Sequence, residues 1–328
     1  MLSQALRMFT AASVIGAAIW LPFLSGCSTT ATGSAAPAPT GLPGAGQQLF
    51  DSDDQAAAAL VSAAKAHDTD ALGHILGPST AAFMSGDKVE DANALDRFAK
   101  NAGDHMELEK KDAGSSIVDI GADKWPFPIP VRRLDNGKWF FDSDAGKEEI
   151  LARRIGSNEL ETIRVCRAYV EAQLQYATED HDGSGVYAYA QHFISHKDHD
   201  GLYWPAKEND EQSPLGELVA KATLEGYTPG SHDESQPQPY HGYLYHILTA
   251  QGPNAPGGKY NYIINGKMIA GFGLVACPAD YGNSGVMTFL ISHQAKLYQK
   301  DLGPDSARIA RGMKVYNPDS TWTLVKDQ

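Results

Sequence analysis

From Lys147 to Ala177 the chain carries no proline and a single glycine, Gly156, and that stretch sets what the rest can fold into. Ile163, Cys166, Ala168, Tyr169, Val170 and Leu174 fall at helical spacing and form an apolar stripe. The segment reads as one long helix or as two abutting ones. Gly156 is the expected break, since glycine costs about 1 kcal/mol relative to alanine inside a helix. Asn158 would then recap the chain, with Glu161 at capping-box spacing although Asn replaces the usual Ser or Thr.

An apolar stripe needs a surface to cover it, and strands follow. Gly242 to Thr249, Tyr260 to Ile264, Met268 to Ala276 and Val286 to Ser292 read as strands, with Asn265-Gly266 a two-residue hairpin signal. Pro214 to Ala222 and Pro304 to Gly312 look helical, and Trp322 to Val325 looks like a closing strand. Upstream, helices are expected from Asp53 or Asp54 to Ala66, from Thr69 to Gly77-Pro78, and from Ala92 to Asn101. Strands at Ser116–Ile120 and Pro130–Leu134 come next, and the turn Asp135-Asn136-Gly137 leads into Lys138–Phe141. The fold class is therefore α+β in two domains, residues 49–156 and residues 157–328, the second a long helix packed on an antiparallel sheet.

The first 48 residues read differently. Leu24-Ser25-Gly26-Cys27 closes a short apolar run from Ala11, which is too short to span a bilayer, since a spanning helix needs about 20 residues. That order is a bacterial lipoprotein signal: residues 1–26 are the leader, and Cys27 is the residue that becomes acylated. Residues 27–48, with an uncharged Ala-, Pro- and Gly-rich run from 28 to 46, form a flexible tether. The lipoprotein resemblance implies diacylglyceryl and N-acyl (palmitate-type) modification, which together suffice for stable anchoring. Ser28 lacks the aspartate of an inner-membrane retention signal, so the expected address is the outer membrane, facing the periplasm. A formal net charge of -13, with a single charged residue before Cys27, excludes nucleic acid as a natural partner and makes the membrane contact depend on the lipid.

Candidate chemistry is sparse. Asp180, Asp182 and Ser184, with Gly185 at the sixth position, match the start of a calcium loop, but Gln191 stands where a bidentate Glu belongs. The same residues equally suit a solvated turn, so Ca2+ is the one cofactor expected and a weak one. His192, His196 and His199 are spaced to share a helix face and hold zinc, although no HExxH pattern accompanies them. Cys166 and Cys277 could form a disulfide or sit as two separately buried thiols, and spacing does not decide between these. Trp125-Pro-Phe-Pro-Ile-Pro130 is read as the lead-in to an edge strand, with Trp125 and Phe127 packed inward. Tyr240, Tyr243, Tyr245, Tyr260 and Tyr262 are read as cross-strand core packing.

Several segments carry a family resemblance. They are Trp125–Pro130, Trp139-Phe-Phe-Asp142, Gly146–Gly156, Asn158-Glu-Leu160, Cys166–Val170, Gly201-Leu-Tyr-Trp-Pro205, His241-Gly-Tyr243, Leu248–Gly252 and Tyr281–Phe289. In combination they resemble the bacterial family DUF2950, over nearly the whole chain from Phe50. That resemblance implies no activity. The long helix, the strand meander and Ser284-Gly-Val-Met-Thr-Phe289 are also similar to the globular heads of type IV pilin-like proteins, and the first domain is faintly similar to the NTF2-like cone. No complete catalytic constellation is present. The expected function is thus a non-enzymatic binding or scaffolding module in the cell envelope, with another envelope protein or a surface polymer as partner. The rival is a hydrolase acting on an envelope substrate in an interdomain cleft, which a buried histidine or carboxylate cluster between the domains would favour.

Overall fold

Ser52 opens the first helix, one residue ahead of the expected aspartates. Its Oγ accepts from Gln55 N at 3.1 Å, and Asp53 and Asp54 then suit the positive end of α1 (Asp53–Lys65). In this computed structural model, residues 41–197, 199–206, 211–227 and 238–326 are described. Cys27, the leader and the tether up to residue 40 lie outside them. The last tether residues are not loose: Gln47 Nε2 donates to Ile75 O at 3.1 Å and Phe141 O at 2.8 Å. The packed body therefore starts before Phe50.

Asp68 caps α2 (Thr69–Leu76), which ends at Gly77 (φ 82°) before a 3-10 turn over Pro78–Phe83. Asp87 caps α3 (Lys88–Asp104), which begins earlier than Ala92 because that carboxylate accepts from both Val89 N and Glu90 N. These helices cover an antiparallel sheet of β1 (Met106–Asp112), β2 (Ser115–Ile120), β3 (Trp125–Pro126), β4 (Val131–Arg133) and β5 (Trp139–Phe141). Its order is β1-β2-β4-β5, with β3 pairing β2. The core between the layers holds Phe50, Leu60, Ile75, Val118, Val131 and Phe141. Phe127 packs between Phe98 and Phe141, at 5.2 and 6.2 Å between ring centroids. Trp125 does not pack inward as expected. It is 56% exposed, with the Arg153 guanidinium 5.0 Å above its ring.

Helix α4 (Ser143–Tyr176) runs unbroken for 34 residues, through both expected domains and across the 156/157 boundary. Asp142 starts it, accepting from Ala145 N at 3.2 Å while pairing with Arg132 at 3.0 Å. Gly156 does not interrupt it. Asn158 is buried within the helix and donates to Ser284 O at 2.9 Å, so its amide joins two parts of the molecule rather than recapping the chain. Glu161 likewise accepts from Arg164 and Lys221, each at 2.6 Å.

The later half of α4 lies against an antiparallel sheet. The intervening chain forms β6 (His192–Ile194), β7 (Gly201–Tyr203) and α5 (Gly216–Leu224). There follow β8 (Tyr243–Leu248), β9 (Ala250–Gln251), β10 (Tyr260–Asn261), β11 (Ile263–Ile264), β12 (Lys267–Met268), β13 (Gly273–Pro278), β14 (Met287–Ser292) and β15 (Tyr298–Asp301). The chain closes with α6 (Ser306–Gly312), β16 (Val315–Tyr316) and β17 (Thr323–Leu324). The main sheet has the order β17-β15-β14-β13-β8, while β10-β9-β16 make a small mixed sheet and β6-β7 a parallel pair. Asn265 (φ 50°) and Gly266 (φ 81°) close the β11–β12 hairpin, as their left-handed backbones require. Strand β13 shows the two faces of its sheet: Leu274 and Ala276 pack with Cys166 and Tyr169 of α4, Val275 and Cys277 with Ala310 and Tyr316. Tyr243 and Tyr262 are fully buried, in keeping with core packing. The protein is thus mixed α+β.

The two glycines of α4 are expected to respond oppositely to a methyl group. At Gly146 a Cβ would stand 2.7 Å from Ile129 Cγ1 and 2.8 Å from Pro128 O; at Gly156 it would meet nothing within 4 Å. Gly146→Ala should destabilise by about 1–3 kcal/mol through overpacking. Gly156→Ala should stabilise by up to about 1 kcal/mol, as glycine-to-alanine changes do in open helical sites. Urea denaturation of both variants checks the pair of signs.

Candidate functional site

Where α4 ends, the chain turns sharply and polar side chains converge. Tyr176, Glu179, His181, Asp182, Gln191, Asp200 and Lys267 line an open cleft there. The turn is local chemistry. Gly183 and Gly185 take positive φ, and the Asp180 carboxylate accepts from Ser184 N at 3.2 Å and Gly185 N at 2.6 Å. Asp182 and Ser184 face Lys267 from the β11–β12 hairpin, whose Nζ lies 2.7 and 2.9 Å from the two Asp182 oxygens and also meets Ser184 Oγ. An ammonium therefore stands against the oxygens that were calcium candidates, and its hydrogen bonds hold the Asp182 carboxyl well below its usual range. Asp180 spends its oxygens on the turn. The geometry is that of a self-neutralised loop, not a vacant calcium cage.

The three histidines do not share one face, because the chain there is a strand and a turn rather than a helix. His192 and His196 meet edge to face at 4.7 Å and, with Asp200, bring one ligand atom each within 4.8 Å of one another. Asp200 also orders the loop by accepting from His196 N at 2.7 Å. His199, at φ 59°, turns the other way and joins His181 and Glu211 in a second group of the same tightness. Neither His181 nor Glu211 is indicated by spacing. His181 lies within the calcium-like string, and Glu211 is brought in by the chain beyond β7. The residue that could have signalled the site is Trp204. It packs flat on His199 at 4.0 Å and 13°, and its Nε1 donates to Glu211 O at 3.1 Å.

Cys166 and Cys277 are free, buried thiols, placed on opposite faces of β13, so the disulfide alternative is not formed. Burial pushes Cys166 up to about 12 and Cys277 up to about 11. Neither is poised as a nucleophile.

A second polar cluster sits where α3, α4 and α5 meet. His241, itself at φ 47°, lies with Nδ1 3.5 Å from Glu90 Oε2 and Nε2 3.2 Å from Glu225 Oε2. The rings of Tyr240 and Tyr227 stand 4.3 and 5.6 Å from its ring. Tyr227 also donates to Asp87 Oδ2 at 2.8 Å, and Asn93 Nδ2 donates to Glu225 O at 2.8 Å, so the cluster ties the helical first half to the second. Burial alone would raise the Glu90 carboxyl; hydrogen bonds from His241 and Arg97 outweigh it and hold the group below its usual range. Glu161 behaves alike, with Lys221 and Arg164 overcoming burial.

These two depressed carboxyls predict an acid response. A folded pKa below the unfolded value stabilises above the unfolded value, about 4.3 for glutamate, and the gain is lost as pH falls through the folded pKa. Stability from urea titrations should drop as pH falls below the ordinary glutamate value of about 4.3. In a Glu90→Gln/Glu161→Gln variant the drop should be smaller, from a lower starting stability at pH 7.

Among known proteins, the family model described as "Protein of unknown function (DUF2950)" matches residues 47–325. No curated protein and no solved structure matches the chain. With that match covering both cores, the cleft and the His241 cluster, the chain belongs to the DUF2950 family.

Proposed function

We propose that this DUF2950 protein is a lipid-anchored envelope module, attached through Cys27 to the outer membrane and facing the periplasm, with a non-enzymatic binding role. The cleft at the end of α4 is its ligand face. The observation that carries the reading is the convergence there of both charge signs and imidazole, on Glu179, His181, Asp182, Asp200 and Lys267, with no activated nucleophile beside them among the described residues. Lys267 meets Ser184, but it pairs as an ammonium with Asp182, whereas a general base for that hydroxyl would have to be a neutral amine. No helix among the described residues is long and apolar enough to cross a membrane, so attachment through acyl chains is consistent with what the body offers.

The hydrolase alternative has one observation in its favour, the His241–Glu90–Glu225 cluster between the two halves. Its carboxylates are engaged by Arg97 and Lys221, and Tyr227 and Tyr240 border the imidazole, which suits an interlock better than a reacting centre. As architecture, we retain the two-domain arrangement over 49–156 and 157–328 and the pilin-head likeness for the second part. Their support is the packing of Cys166, Tyr169 and Val170 against Leu274, Phe289 and Ile291. The NTF2-like reading of the first part rests on its helices covering a small antiparallel sheet.

Fractionation of cells expressing the full chain tests the anchor. The parent should be found in the membrane fraction and take up labelled palmitate, and Cys27→Ala should be soluble and unlabelled; a membrane-bound, unlabelled parent would overturn the lipoprotein reading. For the binding role, a photocrosslinker at Gln191 in the cleft should yield a discrete adduct in intact cells that one at exposed Leu224 does not.

A further inference from the structure

We infer that His181, His199 and Glu211 form a binding site for a single divalent transition-metal ion of the zinc class, open on one side to an exogenous ligand. The inference rests on the geometry of these side chains and holds whether or not the chain is lipid-anchored.

The first support is the direction of the lone pairs. His181 Nε2 lies 2.9 Å from Tyr176 O, and a carbonyl only accepts, so Nε2 carries the proton and donates it. The opposite nitrogen, Nδ1, faces Glu211 Oε1 at 3.7 Å, and His199 Nδ1 faces Glu211 Oε2 at 3.6 Å. Both separations exceed a hydrogen bond. They come close to the edge of a coordination tetrahedron, where bonds of about 2.0–2.2 Å put ligand atoms roughly 3.3–3.6 Å apart, and they reach the two different oxygens of one carboxylate. Two imidazoles and a carboxylate thus bring one ligand atom each within 4.8 Å of one another.

The second support is how firmly the three ligands are held from behind. Histidine ligands of metal sites characteristically donate their other N–H to a carbonyl or carboxylate, as His181 does. The Tyr176 ring stacks on His181 at 4.0 Å and 24°, and its hydroxyl donates to His199 O at 2.7 Å, fixing the left-handed backbone at that residue. Trp204 stacks on His199 and donates to Glu211 O, so it supports the remaining two ligands. Tyr176 and Trp204 are themselves rooted in the main core, 7% and 5% exposed. Such support costs ordering entropy before any ligand binds, which is the character of a preorganised site.

The donor set and exposure give the class. Two imidazoles and one carboxylate suit zinc and its neighbours rather than calcium or magnesium, which take oxygen. The His181 side chain is 8% exposed, whereas those of His199 and Glu211 are 42% and 41% exposed, so the fourth position points to solvent. Three protein ligands with an open fourth position characterise zinc sites that receive a small ligand, in contrast to closed structural sites. In the neighbouring His192, His196 and Asp200 group, the Asp200 carboxylate is already committed to the loop backbone at His196 N and Lys197 N.

The test uses the purified, chelator-stripped protein and ZnCl2 in calorimetry, with Co2+ absorption as the geometric readout. One equivalent of zinc should bind, and Co2+ should give the intense visible bands of a four-coordinate site. Glu211→Gln, a substitution at a half-exposed position, should weaken zinc at least 10-fold while thermal unfolding in chelator stays unchanged. Tyr176→Phe, which keeps the stacking ring but loses the hydroxyl, should weaken it about 10-fold. His192→Ala/His196→Ala should leave the site intact. Absence of zinc binding to the stripped parent would overturn the inference. So would binding that survives both Glu211→Gln and His199→Ala, or that is lost only in the His192/His196 variant.

Discussion

Everything in this molecule is hung on one helix whose backbone hydrogen bonds never lapse. A helix of 34 residues spans about 50 Å at 1.5 Å per residue. In proteins most helical stability comes from packing against neighbours rather than from propensity, so its faces must be covered. Here different proteins-within-a-protein cover different turns. The first turns are held by Asp142 with Arg132, by Ser143 Oγ donating to Leu76 O at 2.6 Å, and by the close approach of Gly146 to Ile129. The middle turns carry polar side chains that reach sideways. Asn158 reaches Ser284 O, and Glu159 Oε1 accepts from Val286 N at 3.0 Å and Met287 N at 2.9 Å. The last turns carry Cys166, Tyr169, Val170 and Tyr176 into the main core. A break at Gly156 would separate the helical turns these contacts align.

The end of that helix is also what makes the cleft. Tyr176 is the last helical residue, and it is at once core side chain, stacking partner of His181, donor to His199 O and source of the carbonyl that orients His181. Loops alone seldom hold side chains to the tolerance a small ligand requires. Rooting two aromatic pillars, Tyr176 and Trp204, in the sheet core transfers the rigidity of packed secondary structure to residues that belong to loops. The Lys267–Asp182 pair closes the neighbouring side of the cleft by joining the β11–β12 hairpin to the turn after α4.

Local rules in the sequence were enough for much of the fold. The helix starts near Ser52 and Asp68, the Asn265-Gly266 hairpin and the strands β8 and β14 follow from residue types at short range. The α3 start at Asp87 is missed, and the expected Met268–Ala276 strand divides into β12 and β13. Where tertiary contacts decide, local reading misses. Asn158 has the chemistry of a cap, yet its amide serves a partner more than a hundred residues away in sequence. Strand β1 (MELEKKD) alternates apolar residues only at Met106 and Leu108 because it is an exposed edge, where charge protects against unwanted pairing. The histidines were visible as a group, but their partition was not. It depends on a left-handed residue at His199 and on the arrival of Glu211, which no periodicity encodes.

The same helix separates the start of the described body from the cleft. Gly41 lies against the Asp142 carboxylate at the start of α4, so a Cβ on it would meet that side chain. The cleft lies at the other end, about 50 Å along the axis at 1.5 Å per residue. A single helix fixed in two cores keeps its own start and the cleft at opposite ends. The interlock carries charge that must be paired to remain buried, with Glu90 on Arg97 and His241, and Glu161 on Lys221 and Arg164. Arg97, Arg164 and Lys221 are themselves more than half exposed, so water screens these pairs and each alone contributes little. The cluster joins the two halves along α4, while the cleft takes its position from Tyr176 and Trp204 in the main core.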